Sequence, residues 1–246
     1  MLRKDPDIFI TKGIEKYMEQ VQTVFADSLV MAALYGSAAT GHYVAGVSDI
    51  NLLFVVDPPS PKRLFELAER TRRTADKYRI TPHILSKQEL LSSTDVFPVE
   101  YLEMKETMEL IHGTNLIEEL QIDRKNLRHQ VESMIRGEIN SLRQLVLTQG
   151  GRKRLFFQDV RLWAGRQAAL MRSLLRLVKH EQKQDLNPKH IIEEIVEAFE
   201  VAPRPLLELE DLREGVHISR DIVDVISDLL LNYIHIAEIL DGPTYR

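Results

Sequence analysis

The chain has 246 residues, 44% hydrophobic and 28% charged, with a formal net charge of −5 and no cysteine. That length holds one large domain or two modest ones, with the composition of an ordinary globular protein. Disulfides and thiolate zinc sites are excluded, the acidic balance argues against nucleic acid as a partner, and no apolar run is long enough to span a membrane.

The opening MLRKDPDIFITKG lacks the apolar core of a signal peptide, and a reducing cytoplasm is the expected location. Charge is unevenly placed. Residues 1–122 carry 13 Lys/Arg against 18 Asp/Glu, whereas residues 123–246 carry 19 of each. The shift coincides with a change in apolar pattern, so a domain boundary is expected within 121–124.

In the first part the elements alternate. Residues 14–25 have helical spacing of apolar side chains. Leu29–Tyr35 and Ile50–Val56 are short apolar runs that read as buried strands. The break Asp57-Pro58-Pro59-Ser60-Pro61 starts a charged helix over 62–78, since proline fits a first helical turn. Ile80–Leu85 is strand-like, Ser86 caps a short helix over 87–91, and 99–104 reads as a further strand. Helices alternating with short strands predict an α+β domain with a mixed sheet over 1–122.

The second part is helical. Residues 124–148 form one long periodic segment, closed by Gly150-Gly151. Further segments run over 152–182, 188–201 and 218–240, with a short one over 206–213. Four main helices with short joins predict an antiparallel bundle over 123–246.

One stretch carries most of the chemistry: LYGSAATGHYVAGVSDINLLFVV, residues 34–56. An apolar strand ends in Gly36-Ser37. A loop of small residues follows, then Ser48-Asp49-Ile50-Asn51, then a second strand. A glycine-bent turn lets the backbone approach phosphate oxygens, and the Ser37 hydroxyl reaches them too. Side chains at i and i+2 of a strand share a face, so Asp49 and Asn51 point the same way. Oxygen ligands so placed suit a magnesium ion beside a triphosphate.

This arrangement resembles the signature of the nucleotidyltransferase superfamily, in which Gly-Ser is followed by an Asp-x-Asp pair. The resemblance implies that Gly36, Ser37 and Ser48 contact a nucleoside triphosphate such as ATP, that Asp49 holds Mg2+, and that Asp49 and Asn51 are the catalytic pair. It departs at Asn51, where the family has a second carboxylate. A third family carboxylate on a later strand falls here at His83, which then lies beside the nucleotide. A neutral amide and a histidine leave too little negative charge for two-metal chemistry, so metal-dependent transfer is expected to be weak or lost. Glu100 or Glu103 is a candidate replacement, from the strand expected over 99–104.

Residues 82–113 and 127–144 also resemble bacterial nucleotidyltransferase-like proteins with a helical second half. Relatives of that kind include aminoglycoside adenylyltransferases, protein-modifying enzymes and antitoxin-type members. The resemblance therefore leaves three readings open: a nucleotide-binding fold with reduced transfer, an active enzyme on a small-molecule or protein acceptor, or a non-enzymatic interaction module. A protein partner and self-association are open with them.

Two charge stripes stand outside this scheme. On the helix from 152, Arg154, Arg161, Arg172, Arg176 and Lys179 fall within one narrow sector, while most other positions are apolar. On the last helix, Asp221, Asp224, Asp228, Asn232 and His235 share a face. The plain reading is solvated edges or mutual ion pairs. The sharper one is an arginine edge that lines a cleft between domains and binds phosphates. No His-x-x-x-His pair occurs, and Arg213 to His217 is too short for the Arg/His spacing of helical RNases.

Overall fold

The structure, a computed structural model, describes residues 6–41, 43, 48–178 and 187–242. The chain divides into two compact units, Met1–Ile122 and Asp123–Arg246.

The first unit is α+β. Helix α1 (Pro6–Phe25) leads into β1 (Leu29–Tyr35), and β2 (Ile50–Val56) follows the small-residue loop. Helix α2 (Pro61–Tyr78) connects to β3 (Ile80–Leu85); α3 (Lys87–Ser92) and α4 (Pro98–Thr107) precede β4 (Glu109–Gly113). The sheet order is β3-β2-β1-β4. β1 runs antiparallel to β2 and β4, and β2 runs parallel to β3, so the sheet is mixed.

The two central strands are apolar along nearly their whole length because both of their faces are covered. Ala32, Leu34, Ile50, Leu52, Phe54 and Val56 pack on one side, with residues of α1 and α2. Met31, Ala33, Leu53 and Val55 pack on the other, with Leu90 of α3 and Tyr101 and Met104 of α4. At the β4 edge, Gly113 has φ +79, and a Cβ there would come within 2.0 Å of the Val30 carbonyl oxygen. Only glycine lets the strand approach this closely.

One element differs in kind from the sequence reading. Residues 99–104, read as a strand, lie inside helix α4. Pro98 occupies its first turn, and its buried residues are Pro98, Val99, Tyr101 and Met104. That spacing of three follows a helix and not the alternation of a strand. The fourth strand comes after it, as the mostly exposed Glu109–Gly113.

The second unit is a helical bundle of α5 (Arg124–Gln149), α6 (Lys153–Val178), α7 (Pro188–Phe199), α8 (Pro203–Glu214) and α9 (Ile222–Asp241). The segment over 206–213 begins earlier, at Pro203, and is as long as α7, so five helices build the bundle among the described residues. Asp123, Asn187 and Asp221 cap α5, α7 and α9, each side chain accepting from the backbone N–H two residues on. The α5–α6 hairpin is antiparallel. Arg124 donates to the Leu177 carbonyl at 2.8 Å near one end, and Trp163 donates to Glu138 at 2.6 Å further along. Among the described residues no helix is long and apolar enough to cross a membrane.

Candidate functional site

The Gly-Ser turn and the Asp49–Asn51 segment meet at one end of the two central strands. Tyr35, the last residue of β1, pairs with Asn51 of β2. Gly36 follows at once, with φ +75, and a Cβ on it would lie 3.1 Å from the Asn51 side-chain nitrogen. A larger residue would therefore meet the amide and adopt a left-handed backbone as well. Ser37 is half-buried in a 3-10 turn, Gly36–Ala38. The amides of Ala39 and Thr40 both donate to the Gly36 carbonyl, at 3.1 and 3.3 Å, which closes the turn tightly.

The Gly36 amide itself is engaged. It donates to the Thr107 hydroxyl at 3.2 Å, and that hydroxyl donates to the Glu103 carbonyl at 2.7 Å. The C-terminal end of α4 thus pins the start of the turn. Glu103 lies half-buried on the same helix. Burial, and then the charge of Glu103, push the Tyr35 hydroxyl above its ordinary pKa. Glu103 hence approaches this end of the sheet from a helix, and Glu100 lies exposed in the first turn of that helix, not on the strand expected over 99–104.

Asp49 lies just ahead of β2 and is exposed. Its Oδ1 accepts from Arg79 twice, from Nε at 3.0 Å and from Nη2 at 2.8 Å. Arg79 closes α2 in a left-handed conformation, φ 56, with its amide bonded to the Ala75 carbonyl. Its own carbonyl accepts from the Ile50 amide at 2.8 Å. Backbone bonds on both sides thus hold Arg79 next to Asp49. Arg79 Nε also donates to the Ser48 carbonyl at 3.3 Å, and Ser48 is half-buried.

His83 lies exposed on β3, level with Leu53 of β2. It shares the Asn51 face of the sheet but sits two residues further along, about 7 Å. The residue level with Asn51 is Thr81. Among the described residues no three His, Asp or Glu side chains gather into a group that would hold a metal ion. His42 of the loop lies outside the described residues.

Sequence reasoning missed Arg79 and Thr107. Arg79 stands directly after a charged helix and looks like one more solvated cation. Thr107 lies 71 positions from Gly36, and no local pattern links them.

The charge stripes separate in the second unit. Arg154 and Arg161 are exposed, Arg172 is half-buried and Arg176 is buried, while Lys179 lies outside the described residues. The cationic edge is therefore exposed at its start and buried toward the end of α6. On α9, Asp221 is a cap and Asp228 pairs with Arg220 at 2.5 Å. Asn232 is buried and clamps both backbone groups of Ala202, at 3.2 and 2.8 Å.

No family model and no curated protein matches this sequence. Among solved structures, the chain is similar to a spectinomycin adenyltransferase from Enterococcus faecialis, determined with ATP and spectinomycin. The TM-score is 0.52 at 15% identity, over 94% of this chain and 99% of that one. The fold is nucleotidyltransferase-like, and at that identity the likeness speaks for fold alone.

Proposed function

We propose that the protein binds a nucleoside triphosphate at the Gly36-Ser37 turn and the Asp49–Asn51 segment, with metal-dependent nucleotidyl transfer weakened or lost. The observation that carries the reading is that the Asn51 amide faces the Gly36 turn at the end of β1 and β2, 3.1 Å from where a Cβ on Gly36 would stand, within a nucleotidyltransferase-like fold. A polyanion at this turn meets a glycine backbone, the Ser37 hydroxyl and a carboxamide donor. The solved neighbour was determined with ATP, which makes ATP the first nucleotide to test.

The donor set bears on the metal. A pair of magnesium ions beside a triphosphate is held by anionic oxygens. Here the aspartate is ion-paired to Arg79, and the next position on its face is a neutral amide. These residues do not fit a two-metal centre. What the chain's own groups offer is phosphate binding and orientation.

Calorimetry with ATP, GTP, CTP and UTP tests the reading. At least one should bind the wild type, and Gly36→Val should abolish that binding by filling the turn. Asn51→Asp restores a second carboxylate and should increase the gain that Mn2+ brings to nucleotide affinity. Absence of binding for all four nucleotides, in wild type and Asn51→Asp alike, would sink it.

A second reading is an active metal-dependent nucleotidyltransferase on a small-molecule or protein acceptor. The half-buried Glu103 beside Tyr35 favours it, as a carboxylate delivered to the turn from α4. Transfer of label from a radioactive nucleotide to an acceptor, lost in Glu103→Gln, would establish that reading over the first.

A further inference from the structure

The Asp49–Arg79 pair extends the proposed function, and the inference rests on that reading. The carboxylate most suited to a metal is already paired with a cation of the protein. Both Arg79 contacts converge on the same oxygen, Oδ1, at 3.0 and 2.8 Å. The arrangement is built into the backbone. Arg79 takes a left-handed conformation that side chains other than glycine rarely adopt, with its amide bonded to Ala75 and its carbonyl to Ile50. The residue that follows Asp49 is thus hydrogen-bonded to the residue that supplies its counter-charge.

We propose that Arg79 is the resident counter-cation of Asp49, and that the form of nucleotide this site takes is the metal-free triphosphate, not its magnesium chelate. A divalent ion and a guanidinium compete for the charge of the same carboxylate. A metal arriving at Asp49 has to displace Arg79, or sit beside it against like-charge repulsion. A free triphosphate needs no ligand from Asp49: with that charge already offset by Arg79, it meets the Asn51 amide and the Ser37 hydroxyl as donors. The neutral Asn51 fits this mode: it donates a hydrogen bond to phosphate as readily as it would accept a weak metal contact. Both side chains of the pair are about half exposed, 45% for Arg79 and 48% for Asp49. Solvent screens such pairs, so the effect on affinity is moderate, about two- to fivefold.

The test uses the full chain with two probes. Mn2+ alone, followed by electron paramagnetic resonance, should bind wild type and Arg79→Lys equally weakly. It should bind Arg79→Gln about two- to fivefold more tightly, and that gain should vanish in Arg79→Gln/Asp49→Asn. Titration of ATP in EDTA should give wild-type affinity at least equal to that in excess Mg2+, with Arg79→Gln reversing the preference. Equal Mn2+ binding by wild type and Arg79→Gln, or wild-type ATP binding that requires metal, would overturn the proposal. If no nucleotide binds under any condition the functional reading falls, while the Mn2+ comparison still decides whether Arg79 guards Asp49.

Discussion

The two units handle polar side chains in opposite ways. At the sheet end of the first unit, Asp49, Arg79 and His83 are exposed, and the half-buried Ser37 and Ser48 lie beside them. In the second unit, polar groups are drawn into the core. Glu138 accepts from Trp163 Nε1 at 2.6 Å and from Gln167 Nε2 at 2.9 Å, and the Tyr233 hydroxyl donates to Gln167 Oε1 at 3.1 Å. Trp163, Gln167 and Tyr233 are all buried. Groups paired in solvent are cheap to separate, so they remain available to a ligand. Groups paired in the core are costly to separate, so they fix the packing of α5, α6 and α9. A cluster of polar residues is therefore not by itself the mark of a site; the medium around it decides.

The largest break in that contrast comes from the core. Trp163→Ala removes the largest fully buried side chain and should destabilise the second unit by about 3–5 kcal/mol, read from urea unfolding by circular dichroism. Glu138→Ala strands the Trp163 donor and leaves Gln167 Nε2 only its 3.3 Å bond to the Trp163 carbonyl. It should cost about 1–3 kcal/mol, followed through fluorescence of Trp163, the sole tryptophan. A loss no greater than that of a surface pair would erase the distinction between the units.

Alkaline titration sharpens the comparison. Burial, and then the Glu138 charge, push the Tyr233 hydroxyl well above its ordinary value of 10.0. The folded state holds that proton more tightly than the unfolded chain does. Its contribution is complete below the unfolded pKa, near 10, and is lost as pH rises through the raised folded value. Unfolding free energy should therefore fall above about pH 10, and Tyr233→Phe should reduce that slope. Tyr35, also raised, adds to the slope through the first unit. The smallest effect belongs to the sheet end. Asp49→Ala should change stability by about 0–1 kcal/mol while altering Mn2+ or nucleotide binding. A large stability loss there would make the Asp49–Arg79 pair structural.

Much of the fold was legible because its apolar patterns are strong. Leu29–Tyr35, Ile50–Val56 and Ile80–Leu85 are strands with the bounds read from their apolar runs. Buried strands and amphipathic helices reveal themselves locally, since each residue's preference depends on the face it shows. β4 was not legible: its ELIHG is mostly exposed and becomes a strand only by pairing with β1. Helix α4 was misread because a short buried run is ambiguous in period until its neighbours are known.

The same division holds at the candidate site. Spacing along the chain by itself determined that Gly36, Ser37, Asp49 and Asn51 belong to one strand-loop-strand unit. Only the tertiary structure decided what stands beside each one: Thr107 on the Gly36 amide, Arg79 on Asp49, Thr81 level with Asn51. The reason is physical. A buried apolar strand announces itself by short-range pattern, whereas a side-chain partner 30 or 71 residues away is chosen by how helices α2 and α4 end against the sheet.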